Sequence, residues 1–309
     1  MANILIAGGA GFIGSHLCEY LLHNGNFIYC LDNLYTGSQS NLEYLQDNKN
    51  FRFIKADITK PLEHLKVDQI YNLACPASPV YYQKDPVFTL KTSFTGVLHL
   101  LELARSNKAV FLHCSTSEVY GDPLQHPQKE SYWGNVNPVG PRSCYDEGKR
   151  AAESLITDFS AQYNIETKII RIFNTYGPRM QLNDGRVVSN FIVQSLKGEE
   201  LTIYGKGEQT RSFCFVSDMI RGIVRMMQEK EKGPLNLGNP AERTIKELAE
   251  LILELTGSGS RMVYQPLPGD DPRRRKPDIG LAQKKLDWEP RISLKQGLKE
   301  TIACFRKML

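Results

Sequence analysis

The sequence predicts an α/β fold, a doubly wound parallel sheet followed by a smaller C-terminal domain, on three observations. Apolar runs alternate with helical patterns through the first half of the chain, the first run ends in a glycine cluster that opens a helix, and the second ends in a carboxylate. Alternation of this kind lays helices on both faces of a parallel sheet through right-handed crossovers.

The run from Ile4 to Ala7 reads as a buried strand, and glycines 8, 9, 11 and 14 follow at once. Two spacings coexist, G-x-G-x-x-G over Gly9, Gly11 and Gly14 and G-x-x-G-x-x-G over Gly8, Gly11 and Gly14. A pyrophosphate rests on helix N-terminal N–H groups only if the backbone comes close, and a Cβ at Gly9 or Gly11 would keep it away. The next strand, Phe27 to Leu31, ends in Asp32, eighteen residues beyond Gly14. An acidic side chain there accepts from the ribose hydroxyls of NAD and repels a 2′-phosphate, so the reading is a Rossmann-type NAD site.

Further strands are expected near 51 to 55, 68 to 74, 109 to 114 and 167 to 173, with long helices over about 86 to 106 and 145 to 163. Pro86 suits a first helical position. The helix it opens carries Phe88, Leu90, Phe94, Val97, Leu98 and Leu101 around its girth, which implies cover from a second copy of the chain as well as from the sheet. Beyond 173 the alternation fails among Pro178, Gly185, Gly198, Gly205 and Gly207, and a strand-helix-strand pattern returns over 212 to 237. The expected division is therefore an NAD-binding domain of 1–173 with 212–237, and a second domain of 174–211 with 238–309. A helix is expected near 244 to 256 and another from about 294.

Composition narrows the class. The 309 residues are 41% apolar, enough for a real core, and 38 basic against 34 acidic residues leave no nucleic-acid or membrane surface to expect. Seven cysteines are odd in number and scattered, with no metal-ligand spacing alongside six histidines. That suits free thiols in a reducing compartment and no metal. A core strand beginning near residue 2 leaves no room for a leader, so a cytoplasmic protein is expected.

Open parallel sheets hold substrate at the carboxyl ends of their strands. Strand 109 to 114 runs out into Ser115-Thr116-Ser117-Glu118, and Tyr145-Asp-Glu-Gly-Lys149 follows. On a helix, positions i and i+4 share a face, which sets the Lys149 ammonium near the Tyr145 phenol. A phenol of ordinary pKa near 10 is a poor base at neutral pH. An ammonium and a cationic nicotinamide would favour phenolate, making Tyr145 a base for an alcohol losing hydride to NAD, with Thr116 on the same oxygen.

The glycine turn, Thr116 and the Tyr145/Lys149 pair resemble the extended short-chain dehydrogenase/reductase superfamily, whose members work on nucleotide sugars. Within it, several blocks are similar to the UDP-glucuronate decarboxylase (UDP-xylose synthase) family. These are Asp32-Asn-Leu-Tyr-Thr-Gly37, Pro76-Ala-Ser-Pro79, Ser115 to Pro123, Tyr132-Trp-Gly134, Asn137 to Lys149, Arg171 to Met180, Asn183 to Phe191, Gln209-Thr-Arg211, Asn236 to Pro240, Asp270-Asp-Pro272 and Arg275-Lys-Pro-Asp278.

The resemblance implies oxidation of the sugar C4 hydroxyl by Tyr145, Lys149 and NAD, loss of CO2 from the resulting β-keto acid, and return of hydride so that NAD is regenerated. It implies catalytic roles for Thr116, Ser117, Glu118, Tyr145, Lys149 and Arg275. Glu118 handles the ring and its protons, and Arg275 lies near the sugar acid. Around NAD it implies Gly8, Gly11, Phe12, Ile13, Gly14, Asp32, Asn33, Thr36, Gly37, Asp57, Ile58, Leu73, Ala74, Cys75 and Thr92. For the UDP-sugar it implies Pro79, Tyr82, Lys91, Asn174, Arg179, Val188, Tyr204, Gln209 and Arg211, together with Arg275. Cys75, where relatives often carry serine, and Cys214 depart from the pattern without removing a catalytic group.

Two related activities share the fold and the Tyr/Lys pair. A 4,6-dehydratase needs an Asp where Ser117 stands, and a 4-epimerase has no need of Glu118. A non-catalytic NAD-sensing protein would be expected to have lost Tyr145 or Lys149.

Overall fold

The computed structural model describes residues 1–62, 65–266 and 274–309. Strand β1 (Asn3–Ala7), helix α1 (Phe12–His23), β2 (Phe27–Asp32), β3 (Phe51–Lys55) and β4 (Gln69–Asn72) form its first half-sheet. A one-turn helix α2 (Pro79–Tyr82) leads to α3 (Pro86–Lys91), which runs through a wide π turn at Thr92–Gly96 into α4 (Val97–Asn107). Then come β5 (Val110–Thr116), α5 (Ser143–Tyr163) and β6 (Thr167–Ile172).

The large sheet has seven strands, all parallel, six of them in the spatial order β6-β5-β4-β1-β2-β3. The seventh is β11 (Leu235–Leu237) beside β6, added by the returning strand-helix-strand unit. Strand order reverses between β1 and β4, and the crevice at such a switch point is where this topology receives ligands.

The period-two rule shows in β1. Ile4 and Ile6 join one buried cluster with Leu17, Cys18 and Leu21 of α1 and with Met219 and Ile223 of α7 (Val216–Gln228), while Leu5 and Ala7 join another with Leu100, Leu101 and Ala104 of α4 and Ala152 and Ile156 of α5. Each fully buried aliphatic side chain contributes about 1.5–3 kcal/mol, so both faces of the sheet are bound to their helices.

The expected helix over 86 to 106 is continuous except for its π turn, a feature that often marks a functional site. Buried Val97, Leu100 and Leu101 face the sheet, whereas Val87, Leu90 and Phe94 remain 62%, 44% and 44% exposed. Gly148 lets α5 close on this helix, since a Cβ there would stand 3.0 Å from that of Ser93.

After β6 the chain builds small sheets. These use β7 (Thr175–Tyr176), β8 (Leu201–Tyr204), β9 (Thr210–Ser212), β10 (Cys214–Phe215), β12 (Glu242–Thr244), β13 (Met262–Gln265) and β14 (Arg274–Arg275). Helices α6 (Val187–Lys197), α8 (Ile245–Thr256), α9 (Gly280–Leu286) and α10 (Leu294–Met308) pack around them. The two helix starts that matter most differ. Thr244 and Glu247 close α8 with a reciprocal capping box, while Gly11 begins α1 with extended backbone and no side-chain cap, leaving first-turn N–H groups open. Among the described residues no helix is long and apolar enough to cross a membrane.

Candidate active site

A cavity of about 780 Å3 opens at the carboxyl ends of β1, β2, β4, β5 and β6 and extends to the small sheets. Gly8, Gly11 and Gly14 line it and Gly9 does not. A Cβ on Gly14 would fall 2.1 Å from the Gly8 carbonyl oxygen, and one on Gly8 2.8 Å from Ala74 N. At Gly11 the nearest atom is 3.2 Å away, so the space outside it is free to receive a phosphate. Gly9 is small for another reason than the one expected: its Cβ would meet Cys30 Sγ at 2.5 Å and Cys18 Sγ at 3.1 Å, beneath the turn. The spacing that faces the cavity is therefore G-x-x-G-x-x-G.

Asp32 accepts from Ala10 N at 3.0 Å and Leu34 N at 2.8 Å, which orients its carboxylate at the cavity edge. Burial raises its pKa against the backbone donors that hold it down. Gly37 lies behind it, since a Cβ there would stand 2.9 Å from both carboxylate oxygens, and it does not line the cavity. Phe12, Ile13, Asn33, Thr36, Asp57, Ile58, Leu73, Ala74, Cys75 and Thr92 do. An uncapped helix start, a glycine cradle and an oriented carboxylate are a fit for a dinucleotide.

At the end of β5, Thr116 Oγ1 accepts from Glu118 N at 3.2 Å and turns Ser117 and Glu118 into the cavity. Tyr145 and Lys149 enter from the first turns of α5, 6% and 3% exposed, and Lys149 Nζ donates to the Cys114 carbonyl at 2.8 Å. Burial, then Cys75, Glu118 and Asp146, raise the Tyr145 pKa, and the Thr116 hydroxyl works the other way. Desolvation outweighs the hydrogen bond.

Arg275, on β14, reaches the same place from 157 residues away. Its Nη2 donates to Glu118 Oε2 at 2.8 Å and its Nη1 to Oε1, a bidentate pair, and it is 6% exposed whereas Arg274 beside it is exposed. Glu118 also accepts from Arg142 Nη2. Burial alone would raise the Glu118 pKa, and the two guanidiniums outweigh it and hold the carboxyl below its ordinary value.

Pro79, Tyr82, Asn174, Arg179, Val188, Tyr204, Gln209 and Arg211 also line the cavity. Register explains part of this: Arg275 on β14 pairs with Arg211 on β9, and Gln209 donates to the Tyr204 carbonyl at 2.7 Å. Arg179 lies toward α1, donating to Glu19 at 2.6 Å with its guanidinium 4.8 Å from the Tyr44 ring centroid. Lys91 is exposed at the end of α3 and does not line the cavity. The Asp270-Asp-Pro272 block lies outside the described residues.

Arg142 and Arg186 also line the cavity and were not singled out from sequence. Arg142 precedes Tyr145 by three positions, the one local signal available. Arg186 is spent on Asp184, with Nη2 to Oδ1 at 3.1 Å, and their contact with the cavity is purely tertiary.

The family model described as GDP-mannose 4,6 dehydratase matches residues 5–301. UDP-glucuronic acid decarboxylase 1 of Arabidopsis thaliana is 52% identical over 307 residues, 99% of this chain and 70% of its own. UDP-glucuronic acid decarboxylase 3 of the same plant is 55% identical over 297 residues, 96% and 86% of the two chains. Among solved structures, the UDP-glucuronic acid 4-epimerase of Bacillus cereus, in complex with UDP-glucuronic acid and NAD, superposes with a TM-score of 0.89 at 29% identity over 99% of this chain and 100% of its own. The UDP-glucose 4-epimerase of Thermotoga maritima, with UDP-glucose, gives 0.90 at 31% identity over 99% of both chains. The glycine cradle, the Tyr145/Lys149 pair and these likenesses agree, and the chain belongs to the extended short-chain dehydrogenase/reductase family, among the UDP-glucuronic acid decarboxylases.

Proposed function

We propose that the protein is a carboxy-lyase that converts UDP-glucuronate to UDP-xylose and CO2 through a transient 4-keto sugar, with NAD as a regenerated cofactor. The observation that carries this reading is the Glu118–Arg275 pair closing on the cavity that also holds Thr116, Tyr145 and Lys149. The 51–55% identity to decarboxylases supports it over the epimerases and dehydratases that share the fold at about 30%.

Tyr145 takes the proton of the C4 hydroxyl while Thr116 holds the same oxygen. The glycine turn and Asp32 would hold NAD, which when bound would supply a hydride acceptor and donor for C4. The C4 ketone stands β to the C6 carboxylate, so the bond to CO2 can break into an enolate. Tyr145, by then protonated, and Thr116 donate to its oxygen, and a preorganised pair of donors in a dry site is worth several kcal/mol of barrier. Arg275 is engaged with Glu118 rather than free, which suits orienting the acid over neutralising it, because a tight ion pair on the leaving carboxylate would oppose loss of CO2.

We assign NAD to 1–173 with 212–237 and the UDP-sugar to 174–211 with 238–309, a homodimer to the helices near 86–106 and 145–163, and the cytoplasm as the compartment. The exposed Val87, Leu90 and Phe94 and the seven free cysteines support the last two. NMR of the NAD-loaded protein with UDP-glucuronate should show UDP-xylose and bicarbonate without net NADH, and deuterium at C5 in heavy water. Unchanged substrate, or UDP-galacturonate as product, would reject the reading.

A further inference from the structure

A row of side chains links the acid of the site to its phenol. The Tyr82 ring stacks on the Tyr145 ring, centroids 5.0 Å apart and planes 5° from parallel. The Arg142 guanidinium lies 6.0 Å from the Tyr82 centroid, donates to Glu118 through Nη2, and has its Nε 3.8 Å from Asp146 Oδ2. Two tethers bind α2 to the start of α5: Cys144 Sγ to the Tyr82 carbonyl at 3.5 Å and Gln83 Nε2 to the Pro141 carbonyl at 3.3 Å. Arg142 and Tyr82 both face the cavity.

We propose that Arg142 is a positioning residue for the reaction proposed above: by bridging Glu118 and the Tyr82 ring it keeps the acid and the Tyr145 ring in one register, and it stays on Glu118 when Arg275 turns to the sugar acid. The inference rests on that functional reading. Without a second partner, Arg275 could not leave Glu118 except by stranding a buried carboxylate, which is costly. The Arg142 contact lowers that cost. Ring stacking of this geometry is orienting as well as attractive, and a guanidinium 6.0 Å from the Tyr82 centroid adds to that restraint.

The test uses the full chain with NAD, as Arg142→Gln and Arg142→Lys. Crystal structures of the ligand-free variants should show the Tyr82 ring displaced from its parallel stack in Arg142→Gln and the Glu118 contact restored in Arg142→Lys. In rapid mixing with UDP-glucuronate, the absorbance burst at 340 nm should slow about 100-fold in Arg142→Gln, the cost of a misplacement near 1 Å. KM should stay within about threefold, and Arg142→Lys should recover about tenfold of the rate. An unchanged stack with a burst within about twofold of the parent, or a loss confined to KM, would overturn the proposal. A parent protein that shows the burst but releases no CO2 would sink the decarboxylase reading alone, since ring geometry and burst still decide the role of Arg142.

Discussion

Replacing Glu118 by Gln tests whether the ion cluster is a structural strut as well as a catalytic one. The carboxylate is almost enclosed, accepts a bidentate pair from Arg275 and a further bond from Arg142, and sits between residues 157 and 24 positions away in the chain. Breaking a buried pair by removing one partner costs about 3–5 kcal/mol, because the remaining charge keeps its desolvation penalty. Here two guanidiniums lose their counter-charge at once while the amide keeps only neutral hydrogen bonds, so the loss should fall inside that range. At roughly 2–4 °C per kcal/mol for a large domain, the melting midpoint should drop by about 6–20 °C.

The same pair sets an acid limit. Because the Glu118 carboxyl is held below its ordinary value of 4.5, its contribution is complete above that value and is lost as pH falls through the lower, folded one. Thermal melts of parent and Glu118→Gln at pH 7 and pH 4 would show this as a gap that narrows in acid. A variant as stable as the parent at pH 7, or a gap that widens in acid, would refute the argument.

Tyr145→Phe keeps the ring that stacks on Tyr82 and removes the oxygen proposed to exchange the sugar proton, so ketone formation should fall by about 100-fold or more, read as NADH at 340 nm and as UDP-xylose by NMR. Near-parental turnover would end its assignment as base. Gly14→Ala places a Cβ 2.1 Å from the Gly8 carbonyl oxygen and should weaken NAD binding by about tenfold or more in calorimetric titration, since overpacking of backbone costs about 1–3 kcal/mol. Unaltered affinity would show that the turn is not the cradle. Leu90→Glu with Phe94→Glu should convert a dimer to monomers in sedimentation velocity. A parent that already sediments as a monomer would remove the basis for an interface on these helices.

Much of the fold was legible because its signals are local. The alternation of Ile4 and Ile6 against Leu5 and Ala7, the uncapped helix start after Gly11, Asp32 at the end of a strand and the i, i+4 placement of Tyr145 and Lys149 each depend on a handful of consecutive residues. Tertiary structure alone decided where non-local neighbours met. It put Gly9 over Cys30 and Cys18 rather than under a phosphate, left Lys91 in solvent, drew Arg179 toward α1, and joined Arg142 and Arg275 on Glu118. It also buried the Tyr145 ring, which raises the pKa of its phenol. The physical reason is common to all of these: periodicity and turn chemistry are written in adjacent residues, whereas burial, ion pairing and the proton affinity of a phenol are sums over groups that chain order does not bring together.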